Sequence, residues 1–351
     1  MAGETSNISQ MANKVSEEIF KHFRWECLNL KDENFPCAKP NKHSTKDEYT
    51  HPVDVVFYYT DPYTNKRVFF NADLKSYKRD SINPSSIRNA LRSLAKAIDC
   101  ARVSPVWRDR YSYMQDEQPE VRGMLFVYNH DGEFHKHFYS YIRPPDDEGK
   151  KRGVNLGKLP LEKNQQIHIV DPKLISYLIT IVNDMKVLHF DGTFPKKNYS
   201  FFYPDLRLHK THGESSSRPA TIEMLTGPFL IIKHEVAKRF DESTGEQIGE
   251  YPMGFVVYYN RSGSTHHEFM YFFDMLSNYQ LLESGLKIRV RVACDECSSE
   301  MISNFSKAID AYSQAWGFDG YKKGLLQEIE IERVETVKKV FSSVDIGWRD
   351  S

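Results

Sequence analysis

Long apolar runs are missing from this chain of 351 residues, and so is an excess of charge of either sign. No stretch approaches the roughly 20 consecutive apolar residues that a membrane-spanning helix needs, so no membrane partner is expected. The 47 Lys and Arg offset 48 Asp and Glu. A chain so balanced has no global attraction to a polyanion, and any binding of nucleic acid must come from local basic patches. Cysteine is scarce and odd in number, five in all. That is no disulfide scaffold, and it points to the reducing cytoplasm. The first residues show no basic-then-apolar leader pattern. A Walker loop, a GxGxxG turn, an HExxH helix, a nucleophile elbow and an internal repeat are all absent.

Aromatic residues are abundant, with 22 Phe, 20 Tyr and 4 Trp, enough to build a sizeable core. The length suggests two domains. The most informative stretch is 52–75. Residues 55–60 and 67–72 are β-branched and aromatic, and 61–66 is turn chemistry, so the stretch reads as a β-hairpin. Partners in a hairpin have numbers with a constant sum. If Thr60 faces Arg67, then Asp54 faces Asp73, with Lys75 on the same face. Like charges directly opposite destabilise a sheet unless something compensates them. A divalent cation such as Mg²⁺, held by one or two carboxylates, does so. Two acids and a lysine around such an ion are the equipment of phosphodiester hydrolysis. The plain alternative is a pair of solvated strand-end acids with Lys75 as an ion-pair partner, and a one-residue slip would separate the acids altogether.

Before the hairpin, residues 1–7 read as disordered, and Ser9 can cap a helix running to about residue 24. Ile8, Met11, Ala12, Val15, Ile19 and Phe23 form its apolar face. Glu17 reads as a solvated flank, while Glu18 leans over the edge of that face. Residues 25–30 suit a short strand, and 31–51 a polar loop in which His43 and His51 look ordinary. After the hairpin, Asn83-Pro84 starts a helix reaching about residue 102. Its apolar stripe is Ile87, Leu91, Leu94 and Ile98. Arg88, Arg92 and Lys96 lie beside that stripe, either as a solvated face or as a rail for phosphates that Lys78 and Arg79 extend. Residues 122–129 read as a buried strand and 134–142 as a further one. His130, His135 and His137 cluster with Asp131 at a spacing that matches no common metal site.

Residues 143–164, with two adjacent prolines and a basic run, read as a linker or mobile loop. Beyond it, 165–351 alternates strands and helices as a second α/β domain of regulatory, substrate-binding or oligomerising role. Cys294 and Cys297 form a Cys-x-x-Cys, but zinc would require two more ligands.

The order helix, short strand, strand with Asp54, strand with Asp73-Leu74-Lys75, helix, buried strand resembles the PD-(D/E)xK nuclease superfamily. Pro52-Val53-Asp54 stands where that family has Pro-Asp, with Val53 as an inserted departure. The resemblance implies an α/β (α+β) fold with a restriction-endonuclease-like αβββαβ core over 1–142. It implies Asp54, Asp73 and the Leu74 carbonyl as ligands of Mg²⁺ or Mn²⁺, Lys75 orienting the attacking water, and Glu18 assisting. The activity implied is that of an endonuclease, on DNA rather than RNA. By analogy of architecture it resembles the superfamily's antiviral-defence effectors, with a partner protein or a homo-oligomer as further expectations. The alternative is a non-catalytic subunit that binds nucleic acid or a partner through Arg88, Arg92 and Lys96.

Overall fold

The computed structural model describes residues 2–43, 49–111, 120–142, 153–204, 215–241 and 243–337. The chain divides into two compact units, the first reaching Ser176 and the second spanning Tyr177–Val337. Among the described residues no helix is long and apolar enough to cross a membrane.

The first unit opens with α1 (Ala2–His22), which is helical from a point where the sequence suggested disorder. Met11, Ala12, Val15, Ser16, Ile19 and Phe20 are buried on it. The helix stops at Arg24, whose φ of 65° turns the chain so that the Trp25 N–H reaches the Phe20 carbonyl at 2.9 Å. There follow β1 (Glu26–Cys27), β2 (Phe35–Pro36), α2 (Pro40–His43), β3 (Thr50–His51), β4 (Val55–Thr60) and β5 (Arg67–Tyr77). After them come α3 (Pro84–Ala101), α4 (Pro105–Tyr111), β6 (Glu120–Asn129) and β7 (Ile167–Val170). A five-stranded sheet runs β1-β4-β5-β6-β7. The first two pairings are antiparallel, and β5, β6 and β7 are parallel.

Each face of this sheet is covered by a helix. On one face, the Phe20 ring of α1 lies 4.9 Å from Phe57 and 6.2 Å from Phe126. On the other, Ile87, Leu91, Leu94 and Ile98 of α3 pack with Phe69, Leu125 and Val127. Helix α3 starts as its sequence dictates. The Asn83 side chain accepts from the N–H groups of Ser85 and Ser86 at 3.1 and 3.0 Å, and Pro84 takes the first helical position. Gly123 lets α3 approach β6, because a Cβ there would stand 3.1 Å from Leu94 Cγ and 2.9 Å from Ile167 Cγ1.

Three expectations for this region need correction. The segment 134–142 forms no strand. Phe134, Phe138 and Tyr141 recur at turn-of-helix spacing and pack their rings together around a 3₁₀ turn, Phe138–Tyr141. Residues 25–30 contribute only the two-residue β1. The strand at 167 belongs to the first sheet, where Gly123 faces Ile167 and Phe126 faces Val170. The boundary placed at 143–164 therefore moves to 176, and Val154, Leu159 and Leu161 join the first core. Residues 143–152 lie outside the described residues.

The second unit takes in most of α5 (Pro172–Phe190), followed by β8 (Tyr199–Phe201), α6 (Ile222–Thr226), β9 (Phe229–His234), β10 (Ala237–Phe240) and β11 (Gln247–Tyr251). The chain continues through β12 (Gly254–Tyr259), α7 (His266–Asn278), β13 (Lys287–Val292), α8 (Met301–Ala315), α9 (Gly320–Gln327) and β14 (Glu330–Arg333). Its sheet runs β14-β13-β12-β9-β8. Phe269, Phe273, Phe305 and Tyr312 form its aromatic core. The hairpin of β10 and β11 was not foreseen, and the last described elements of the alternation are α9 and the short β14. Within the expected second domain, residues 205–214, 242 and 338–351 lie outside the described residues.

Candidate active site

The site is built by the hairpin register. Asp61 ties the turn, its Oδ1 accepting from the N–H groups of Tyr63 and Thr64 at 2.9 and 2.8 Å. Asn65 supplies the left-handed residue with φ of 56°. Asp61 is thereby committed to the turn. Thr60 faces Arg67 and Val55 faces Ala72. Regular pairing with β4 ends there, and one further bond runs from the Asp54 N–H to the Ala72 carbonyl at 3.3 Å. Strand β5 continues to Tyr77 against β6.

In the gap beside β5, Asp54 Oδ2 accepts the Leu74 N–H at 2.7 Å. The N–H and C=O of one strand residue point to the same edge. The Leu74 carbonyl therefore faces the edge that β4 has left. Asp73, Lys75 and Tyr77 share one face of β5. Lys75 Nζ forms an ion pair with Asp73, and their side chains are 30% and 16% exposed. The structure thus brings Asp54, Asp73, Leu74 and Lys75 together.

Electrostatics bind the group further. Burial and then the neighbouring Asp73 charge push the Asp54 carboxyl up to about 6, against the opposing pull of the Leu74 N–H and Lys75. Burial disfavours the Lys75 ammonium, but Asp73 and Asp54 outweigh it and raise its pKa. A third acid, which sequence reasoning missed, stands beside them. Asp32, with φ of 54°, donates its N–H to the Asp54 carbonyl at 2.9 Å. Burial and the Asp54 charge raise its carboxyl. Only its place in a polar loop was visible in sequence, and that loop runs antiparallel-like beside Val53 and Asp54.

Other sequence candidates fare differently. Glu18 is exposed on α1, whose rings cover the sheet face opposite to Asp73 and Lys75. No described contact brings it to the acids. Its neighbour Glu17 pairs with Lys31, next to Asp32. The basic rail is divided. Arg88 donates to the Gly153 carbonyl at 3.1 Å and Lys96 to the His43 carbonyl at 2.7 Å, so both hold loops. Arg92, Lys78 and Arg79 are exposed, with Arg79 near Asp80 and Glu133 at 3.3 and 3.9 Å. The His130, His135 and His137 cluster forms no group of converging ligand atoms among the described residues.

The residues at the end of β4 fit a divalent cation. Two carboxylates and a carbonyl are all-oxygen donors of the type hard cations take. Burial first and the Asp73 charge second raise the Asp54 carboxyl, and a bound cation would offset both.

A family model described as the GAPS4 protein PD-(D/E)XK nuclease domain matches residues 1–174. No curated protein and no solved structure matches the chain. The match begins within a few residues of α1 and ends just after β7, so it takes in the whole of the first sheet. Residues 1–174, which carry a restriction-endonuclease-like core with Asp54, Asp73 and Lys75 at the end of its hairpin, are therefore a PD-(D/E)xK nuclease domain.

Proposed function

We propose that this protein is a metal-dependent endonuclease that hydrolyses phosphodiester bonds of nucleic acid, DNA rather than RNA, in antiviral defence. The observation that carries the activity is the convergence of Asp54, Asp73 and Lys75 where β4 stops and β5 continues. The preference for DNA and the defence role rest on resemblance to the superfamily's restriction, repair and antiviral members.

Asp54, Asp73 and the Leu74 carbonyl would hold Mg²⁺ or Mn²⁺. Such an ion, when bound, polarises a phosphate oxygen and makes bound water a better nucleophile. Burial works against the Lys75 ammonium, and the Asp73 and Asp54 charges favour it. It would orient water and offset charge gathering on the phosphoryl oxygens. Exposed Lys78, Arg79 and Arg92 supply positive charge for the backbone.

The test is to incubate purified protein with supercoiled plasmid, linear duplex and single-stranded RNA, with Mg²⁺, with Mn²⁺ or with a chelator. Cutting of DNA that stops with chelator and with Asp73→Ala is the expected result. Salt-sensitive binding without any cutting would instead favour the non-catalytic subunit.

A further inference from the structure

A second convergence of side chains lies away from the acids. Cys37, His43, His51 and Cys100 each place one ligand atom so that all four fall within 4.8 Å of one another. His51 and Cys100 are completely buried and His43 is 4% exposed. Three of the four come from the segment first read as a polar loop. His43 closes α2, His51 lies in β3 opposite Phe35, and Cys100 ends α3.

Four of the six spacings between the ligand atoms are close to the edges of a coordination tetrahedron. With metal–sulfur bonds of about 2.3 Å and metal–nitrogen bonds of about 2.0–2.1 Å, its edges come to about 3.8 Å between sulfurs, about 3.4 Å between nitrogens and about 3.5 Å between sulfur and nitrogen. Here the two Sγ atoms are 3.6 Å apart, and His43 Nδ1 is 3.4 Å from His51 Nε2. His43 Nδ1 stands 3.6 Å from Cys37 Sγ and 3.3 Å from Cys100 Sγ. The sulfur separation is far beyond a disulfide bond of about 2.05 Å.

The surroundings orient the ligands. His43 Nε2 lies 3.0 Å from the buried Asp99 Oδ2, so its proton goes there and the Nδ1 lone pair faces the cluster. Metal-bound histidines are commonly held by a carboxylate in this way. Asp99 is itself fixed by Lys39 at 2.6 Å, Lys42 at 3.0 Å and Gln165 at 3.2 Å. The Lys39 N–H points at Cys37 Sγ from 3.4 Å. Lys39, Lys42 and Lys96 supply positive charge beside two prospective thiolates.

We infer that Cys37, His43, His51 and Cys100 form a closed structural zinc site that ties the segment from Cys37 to His51 onto the end of α3. All four corners are protein ligands and the site is buried, as in structural rather than catalytic zinc centres. His51 lies three residues ahead of Asp54, so the ion fixes the backbone leading to the acid. Cys294 and Cys297 belong to no such ligand group among the described residues. This inference does not depend on the nuclease reading.

The test is elemental analysis of the full chain purified without chelator or histidine tag, followed by Cys37→Ser, Cys100→Ser and Cys294→Ser variants. The wild type should hold about one zinc per chain, falling to below about a tenth in the first two variants and unchanged in the third. Cobalt substituted into the wild type should give thiolate-to-cobalt charge-transfer absorption of a tetrahedral site, a readout that survives if either serine variant fails to fold. Wild-type protein with reduced thiols, no zinc and no cobalt spectrum would overturn the site. So would a Cys37–Cys100 disulfide found by non-reducing peptide mapping, or loss of zinc in Cys294→Ser.

Discussion

The carboxylate of Asp54 is held by the backbone N–H of Leu74 at 2.7 Å, so the acid just ahead of β4 is fixed by the residue that separates Asp73 from Lys75 in β5. This bond turns a sequence spacing into a site. It leaves the second Asp54 oxygen available beside Asp73, and it aligns the Leu74 carbonyl with both acids.

Asp54→Asn is expected to abolish cleavage while stabilising the metal-free protein. The Asn oxygen can still accept the Leu74 N–H. The folded-state Asp54 carboxyl is raised to about 6, so its contribution to stability is present at low pH and lost as pH rises through that value. At neutral pH the gain from removing the charge is on the order of 1–3 kcal/mol. Thermal unfolding in chelator should show a higher Tm for the variant. An unchanged or lower Tm would argue against a strained acid pair.

Divalent-ion binding should strengthen with pH and then level off. The ion competes with a proton on Asp54, so the Mn²⁺-induced rise in Tm should grow between pH 5 and pH 7, centred near about 6, and change little above it. A pH-independent shift would place the ion elsewhere.

Lys75→Met separates holding the ion from using it. The Lys75–Asp73 ion pair competes with metal for Asp73. Removing the ammonium should leave Mn²⁺ affinity equal or higher, yet reduce the cleavage rate by about 10²-fold or more. Calorimetry and single-turnover cleavage report the two quantities independently.

The basic residues should divide as their hydrogen bonds do. Lys78→Ala, Arg79→Ala and Arg92→Ala should weaken DNA binding and flatten its salt dependence by about one counterion each. Arg88→Ala and Lys96→Ala should lower Tm instead, because their donors hold the carbonyls of Gly153 and His43.

Much of the first unit was legible because it is local. Thr60 opposite Arg67 fixed the hairpin register, and Asn83-Pro84 fixed the start of α3. What escaped was set by long-range packing. Ile167 looked like the start of a new domain, since nothing nearby reveals that its strand pairs with β6. His43 and His51 looked ordinary because Cys100, their partner in space, lies some 50 residues away in sequence. Asp32 reaches Asp54 only through backbone bonding of a loop. Arg88 and Lys96 had the spacing of an exposed stripe, and the carbonyls they hold come from remote segments.

The most direct measurement is an anomalous-difference map from crystals soaked in Mn²⁺. One peak is expected at about 2.1 Å from carboxylate oxygens of both Asp54 and Asp73 and from the Leu74 carbonyl. Crystals that take up the ion elsewhere while leaving the gap beside β5 without density would contradict the account.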